Sequence, residues 1–318
     1  MKVLVLGYSQ NVRERVLPAL AGLGLDKVDL ASTSRSGAVQ LPPGLGGKVY
    51  DDYSEALKRS RADLIWVSTV SSTHAAWAAE ALGRGRHVVV DKPAGISLEL
   101  AQRALDLAQA RSLLLAEAQA WTYHPQVDAA RQAIAEADSA PAHLLAAYSF
   151  PPLAETNFRY QRALGGGALN DLGPFAVSAG RVFFAAEPEE ICCRVTALGQ
   201  EVDTAFSLML TYPEGRSLTG HFGFDAGYVN HLRILAPQAG ARLERAFTPA
   251  AGQASLVETR HFAKQAAVEV APADAFALFL RAVMQAINSG RHQDFARDLL
   301  SDARVLERLR RTALPAQG

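Results

Sequence analysis

Asp63-Leu-Ile-Trp-Val-Ser-Thr-Val-Ser-Ser-Thr-His74 and, a little further on, Gly85-Arg-His-Val-Val-Val-Asp-Lys-Pro93 follow one local grammar. Each holds an apolar run of strand length, Leu64–Ser68 and His87–Val90, that stops in a polar cluster. The runs are continuously apolar rather than alternating, the pattern of strands covered on both faces. Between them His74–Leu82 has a helical pattern, opened by a Ser-Ser-Thr cap signal and closed by the Gly83 and Gly85 pair. Outward from this stretch the alternation holds. Val3–Leu6, Val28–Ala31 and Leu113–Ala116 are further strand-length runs, with helical patterns at Arg13–Ala21 and Leu98–Ala110. Strand and helix in turn predict βαβ units and a parallel sheet with helices on both faces.

After Tyr123-His-Pro125 the grammar changes. A helical stretch, Gln126–Glu136, precedes a strand-like Ala142–Phe150 and a loop with Pro151-Pro152, and Gly165–Phe184 is largely helical. Alternating runs follow at Ile191–Leu198, Thr204–Tyr212, Ser217–Phe224 and Val229–Leu235, broken by turn residues such as Pro213-Glu-Gly215. These predict an antiparallel meander. Two helices, Ala273–Asn288 and Ala296–Arg311, end the chain. The expected domains are therefore 1–120 and 121–318.

Composition sets the outer bounds. The chain has 318 residues, 49% hydrophobic and 20% charged, which suits two globular domains with a sizeable core. Its 32 Lys and Arg balance 32 Asp and Glu. A neutral chain lacks the overall positive field of a non-specific nucleic-acid binder, so no nucleic-acid partner is expected. The only cysteines, Cys192 and Cys193, are adjacent, which excludes a disulfide framework and suits a reducing compartment. No apolar run approaches the roughly 18 residues that span a bilayer. Met1–Gly7 has too short an apolar core for a signal peptide and reads as a first buried strand. The expectation is a cytoplasmic protein with a small-molecule substrate, no membrane partner and no metal.

The first strand ends at Gly7 with a helix soon after, the place where dinucleotide-binding folds put a phosphate loop. The window Gly7-Tyr-Ser-Gln-Asn-Val12 keeps only the first glycine of Gly-x-Gly-x-x-Gly. Tyr8, Ser9, Gln10 and Asn11 still offer backbone amides and side-chain donors to a phosphate. The second strand runs into Ser32-Thr-Ser34-Arg35, hydroxyls and an arginine with no acid. A site for NAD wants an acid there to hold the ribose hydroxyl, whereas an arginine accommodates the phosphate of NADP. NADP is therefore expected, with NAD as the alternative; a solvated arginine in a polar loop is the competing explanation of Arg35. Ser68, Thr69, Ser71 and His74 follow one strand, and Asp91, Lys92 and Pro93 follow the next, where open α/β sheets bind ligands. All count as candidate cofactor contacts, although His74 taken alone is more often a helix-start residue than a catalytic one. Asp91 and Lys92 are successive and should not face the same crevice.

The Asp91-Lys92-Pro93 triplet resembles the Glu-Lys-Pro signature of the Gfo/Idh/MocA oxidoreductases, which include glucose–fructose oxidoreductase and inositol dehydrogenase. Ser72-Thr-His74, Gly85-Arg-His-Val-Val-Val90, the Tyr123-His-Pro125 step and Gly165-Gly-Gly-Ala-Leu-Asn-Asp-Leu-Gly173 extend the resemblance over most of the chain. It implies an α/β fold: an N-terminal Rossmann domain, with a doubly wound parallel sheet and a bound nicotinamide cofactor. It also implies a C-terminal α+β domain with a mostly antiparallel open sheet, whose helix beside the triple glycine faces the nicotinamide. Family substrates are mostly sugars, sugar derivatives, polyols and nucleotide sugars. A homo-oligomer, dimer or tetramer, built through the exposed face of the C-terminal sheet is implied as well.

By the same resemblance the polar part of the site is Lys92 and Asp171, while the family's histidine or tyrosine position falls on Phe175, which exchanges no proton. Pro174 is expected to bend the helix on which residues 171, 175 and 178 would otherwise share a face. The proton for the reacting oxygen is thus expected from Lys92, with Asp171 beside it and Tyr160 as a second candidate. Arg159, in Asn157-Phe-Arg-Tyr160, is similar to an Asn-x-Arg of sugar-reducing branches and reads as a grip on a substrate phosphate or carboxylate, or as a surface salt bridge. Gln119, Trp121 and Phe175 complete the candidate substrate contacts. The expected activity is hydride transfer to or from a carbinol or keto carbon of a sugar or nucleotide sugar. A glycosidase-like use of bound NAD, and a cofactor-binding regulator or structural protein without turnover, are the alternatives.

Overall fold

Four consecutive apolar residues suffice for a fully covered strand, and the chain uses that length repeatedly. In the computed structural model, which describes residues 1–25, 27–33 and 39–313, Val3–Leu6 (β1), Val28–Ala31 (β2), Leu64–Val67 (β4) and His87–Val90 (β5) lie buried side by side. Val49–Tyr50 (β3) and Leu115–Glu117 (β6) are the edges of a six-stranded, all-parallel sheet of order β3-β2-β1-β4-β5-β6. The connections include Leu17–Gly22 (α1), Tyr53–Arg59 (α2), His74–Gly83 (α3) and Leu98–Ala110 (α4). Asp52 and Ser97 cap α2 and α4, each side-chain oxygen accepting a first-turn amide. β3 and α2 were not expected: two residues of strand and seven of helix are too short to show a period. The order reverses between β1 and β4, and that reversal is where such sheets leave a ligand crevice at the strands' carboxyl ends.

The chain divides into two units, Met1–Ala118 with Phe276–Ala303, and Gln119–Ala275 with the chain from Arg304 onward. This differs from the expected 121–318 second domain, because Ala275–Ser289 (α8) and the first half of Gln293–Thr312 (α9) pack mainly with the first unit. Phe279 of α8 meets Trp66 edge-on at 6.1 Å, and Leu299 of α9 joins the same core as Leu4 and Val90. Helical periodicity tells which face is apolar but not which sheet receives it.

The second unit opens with Pro125–Ala135 (α5) and His143–Ser149 (β7), followed by Ala168–Asp171 (α6) and Gly173–Phe184 (α7). Its eight-stranded sheet adds Glu190–Leu198 (β8), Asp203–Thr211 (β9), Ser217–Gly223 (β10), Val229–Leu235 (β11), Ala239–Glu244 (β12), Ser255–His261 (β13) and Lys264–Val270 (β14), in the order β14-β13-β12-β11-β7-β10-β9-β8. Only the β7–β10 pair is parallel. The strands after Leu235 were not expected; β14 is exposed at every residue but Val270 and so carries no apolar alternation. Contrary to the expectation, Pro174 does not bend a continuous helix. Asp171 ends α6, and Pro174 stands in the first turn of a new helix, α7, where its missing N–H costs nothing. On β8 Cys192 is exposed and Cys193 buried, both unbridged; burial pushes the Cys193 thiol up to about 12. No helix of the described residues is long and apolar enough to cross a membrane.

Candidate active site

In the first unit the polar residues gather around the turn after β1. Gly7 has φ +103°, and a Cβ there would stand 2.1 Å from the carbonyl oxygen of Ser68, so only glycine allows this approach of β1 to the end of β4. The chain then enters a helix at Gln10 that is π-wound over Val12–Val16 before α1. The amides that begin a helix have no acceptor within it and present their N–H groups outward. Ser9 replaces the usual second glycine without obstructing the turn, because its Oγ accepts from Val12 N at 3.1 Å and pairs with Ser68 Oγ at 2.9 Å. Tyr8 donates its hydroxyl to Gln40 O at 3.0 Å, and its ring lies under Arg13. Gln10 is bonded to Glu14.

Asp91 is the hub of this arrangement. Its Oδ1 accepts from Trp66 Nε1 at 3.0 Å, and its Oδ2 accepts from Ser68 Oγ at 2.5 Å and Asn11 Nδ2 at 3.3 Å. The carboxylate therefore ties the turn after β1 to the ends of β4 and β5. Lys92 follows it, half-buried, and precedes a cis peptide to Pro93. His74 is buried with Nδ1 2.8 Å from Pro93 O and Nε2 3.0 Å from Thr69 O, bracing two strand-end loops with both ring nitrogens engaged. Thr69 Oγ1 pairs with Thr73 Oγ1, and Ser71 and Ser32 are buried. Ser34 and Arg35 lie outside the described residues.

The second unit builds its polar cluster on the triple glycine. A Cβ on Gly167 would come 2.6 Å from Asp203 Oδ1, and that carboxylate accepts from Leu169 N at 2.6 Å to start α6. Burial raises the Asp203 pKa against those amide bonds. Asn170 donates to the carbonyls of Gly165 and Gly166 and accepts from Arg310 Nε at 3.0 Å. Asp171 is thereby fixed, and its Oδ2 accepts from Arg159 Nε at 2.7 Å. The carboxylate that Arg159 holds is the chain's own, and that charge pushes the guanidinium pKa further up.

The other expected substrate contacts are placed differently from one another. Trp121 and Gln119 are interior, only 2% and 5% exposed: Trp121 Nε1 donates to Ser178 Oγ at 3.1 Å and Gln119 Nε2 to Pro174 O at 3.3 Å. His124 caps α5, its Nδ1 accepting from Gln126 N, and burial lowers its pKa. The Tyr160 oxygen accepts from Leu153 N at 2.9 Å while its ring packs edge-on against Phe224. Phe175 is buried between Tyr148 and Phe247, with both centroid distances 5.3 Å. Sequence reasoning did not single out Tyr148, which packs on Phe175. Its one available signal was phase: in Ala142–Phe150 it alternates with Leu144 and Ala146, a phenol among apolar positions.

A parallel sheet with this strand reversal, and a glycine turn pressed against β4 where a helix begins, define a dinucleotide-binding protein. Residues 1–119 match the family model described as "Oxidoreductase family, NAD-binding Rossmann fold", and residues 127–241 match the GFO/IDH/MocA C-terminal domain. The chain is 30% identical over 317 residues to dTDP-3,4-didehydro-2,6-dideoxy-alpha-D-glucose 3-reductase of Actinomadura kijaniata, covering 98% of this chain and 95% of that protein. It is 25% identical over 232 residues, 72% of this chain and 71% of the relative, to D-xylose 1-dehydrogenase (NADP(+)) 2 of Haloferax volcanii. Among solved structures, KijD10, a 3-ketoreductase from Actinomadura kijaniata in complex with NADP and TDP-benzene, superposes with a TM-score of 0.93 at 28% identity, over 99% of this chain and 98% of that one. The chain belongs to the Gfo/Idh/MocA family of oxidoreductases.

Proposed function

We propose that this chain is an NADPH-dependent reductase of a keto carbon on a nucleotide-linked sugar, able to run the reverse oxidation. The observation that carries the reading is the match to a dTDP-sugar 3-reductase along 98% of the chain, both units included. A structural neighbour bound to NADP and TDP-benzene supports the same cofactor and substrate class. The turn at Gly7 fits a dinucleotide, because the closeness that excludes a Cβ also leaves the helix-start amides of Tyr8 to Asn11 to a pyrophosphate. Arg35 is assigned to the 2′-phosphate of NADP.

A bound nicotinamide supplies or takes the hydride at the carbinol carbon. The chain's own residues do the rest. Asp91 holds the phosphate turn in shape, and Lys92 bears the positive charge against which the substrate oxygen becomes negative. Asp171, held by Arg159, accepts from a sugar hydroxyl. A homo-oligomer belongs to the same proposal, in a cytoplasmic setting. The register aligns Cys192, Met209, Thr219 and Leu145 across four strands, and Met209 and Leu145 are 50% and 40% exposed on the outward face. Light scattering that returns a monomer at micromolar concentration overturns that part.

The reading is tested by titrating the protein with NADPH and NADH and then assaying keto-sugar nucleotides. NADPH should bind more tightly, and Lys92→Ala should lower turnover by roughly 10²–10⁴ with NADPH affinity unchanged. A preference for NADH, or full turnover in Lys92→Ala, refutes it.

A further inference from the structure

We propose that Glu117 is a positioning residue for Lys92, acting through the peptide group that joins Pro93 to Ala94; its bearing on turnover rests on the reductase reading above. Glu117, Lys92, Ala94 and His74 all belong to the first unit. Glu117 ends β6 and pairs in register with Val90 of β5, which pairs in turn with Val67 of β4. Residues paired in one row of a sheet point to the same side, as do residues two apart along a strand. Val67, Val90 and Leu115 are all buried in one core on that side. Glu117 therefore stands in the phase of an apolar row, where a carboxylate adds nothing to packing and needs a hydrogen-bond donor. The donor is a backbone amide: Glu117 Oε2 accepts from Ala94 N at 2.6 Å.

That amide matters because of where Lys92 stands. The ladder of β5 ends where Asp91 N donates to Val67 O at 2.8 Å and Ala118 N to Val90 O at 2.9 Å. Lys92 comes next, outside the sheet, so its direction depends on what holds the chain on either side of it. Before it, the Asp91 carboxylate is bound by Trp66, Ser68 and Asn11. After it, Pro93 has no N–H to offer, and the first amide able to anchor the chain is that of Ala94. The Pro93–Ala94 peptide is held at both poles. Its carbonyl oxygen lies 2.8 Å from His74 Nδ1, and its N–H goes to the charged oxygen of Glu117. Ala94 is only 3% exposed, so water does not replace that acceptor. Gly95 then runs so close to α4 that a Cβ on it would come 2.9 Å from Ala101 N.

Lys92 is thus the single residue between two anchored points, and Glu117 supplies the acceptor of the second. Without that acceptor the peptide is free to turn away from a buried, unanswered N–H, and the backbone that aims Lys92 turns with it. Misplacing a reacting group by about 1 Å costs roughly 100-fold in rate, so a part of that loss is expected when the anchor goes.

The experiment compares wild type, Glu117→Ala, Glu117→Gln, Lys92→Ala and the double variant Glu117→Ala/Lys92→Ala in turnover of a keto-sugar nucleotide with NADPH, and in amide hydrogen exchange of segment 92–98. Glu117→Ala should lower kcat about tenfold or more and speed exchange at Ala94. Glu117→Gln keeps an acceptor oxygen and should recover most of both losses. In the Lys92→Ala background Glu117→Ala should change kcat by less than about twofold, because a residue that acts through Lys92 then has nothing to act on. A merely structural role would lower the folded fraction, and hence kcat, equally in both backgrounds. Equal losses in the two backgrounds, or unchanged exchange at Ala94, overturn the proposal. A wild type that reduces no keto-sugar nucleotide, or one whose turnover survives Lys92→Ala, refutes the reductase reading and this proposal with it. A wild type that depends on Lys92 but keeps its kcat within about threefold in Glu117→Ala refutes only the proposal.

Discussion

Asp91→Ala takes one carboxylate from three donors, and the three do not suffer equally. Trp66 is fully buried, so its Nε1–H, 3.0 Å from Asp91 Oδ1, would be left without an acceptor in a place water does not reach. An unpaired buried donor costs about 1–3 kcal/mol. Ser68 keeps Ser9 Oγ at 2.9 Å, and Asn11 is half-exposed and turns to water, so those two losses are small. Two to four kcal/mol, roughly, is the expected destabilisation of the first unit. Asp91→Asn keeps an acceptor oxygen for Trp66 and should cost about 1 kcal/mol. Because Ser68 and Asn11 flank the Gly7 turn, the alanine variant should also bind NADPH more weakly than the asparagine variant. Equilibrium urea unfolding and fluorescence titration measure both effects. An alanine variant within about 0.5 kcal/mol of wild type, or an asparagine variant equally damaged, would show that the carboxylate is not the bracket argued for.

Gly7→Ala forces a side chain into φ +103° and onto the Ser68 carbonyl; it should lose at least about 2 kcal/mol in urea unfolding and all measurable NADPH binding, and normal binding would refute the close-approach argument. His87 and His292 meet edge-on at 5.5 Å; burial lowers both pKa values, and for His87 the neighbouring His292 lowers it further. The unfolded chain then takes up protons at higher pH than the folded one, so this part of the stability is complete above about 6.5 and falls as pH drops through that value toward the lower folded-state pKa values. His292→Gln should flatten that decline in urea unfolding measured from about pH 7.5 to 5, and a slope unchanged by it would refute the assignment.

Much of this was legible before any coordinates. The continuous apolar runs around Val3, Val28, Ile65 and Val88 became the inner strands of one sheet, and the run at Leu115 became an edge of it, because a strand buried on both faces has no polar position to disguise it. Asp91-Lys92-Pro93 and the triple glycine placed the chain in its family, since both are short, consecutive and tied to backbone shapes few residues tolerate. Segments without such a period, β3, α2 and β12 to β14, were silent.

What tertiary structure alone decided is which groups meet. Asp91 and Trp66 are distant in sequence, as are Arg159 and Asp171, and no local pattern says that one carboxylate will gather Trp66, Ser68 and Asn11 while another is claimed by an arginine. The same holds for Trp121 and Gln119, whose polar ends are consumed by Ser178 and Pro174 inside a core, and for Tyr148, which gains its place only when β7 slides under Phe175 and beside Asn230. A sequence by itself determines local conformation and the sidedness of each element, because those depend on neighbours a few residues away. It leaves the pairing of polar groups to packing, because the free energy of a buried donor depends on the acceptor that long-range contacts bring to it.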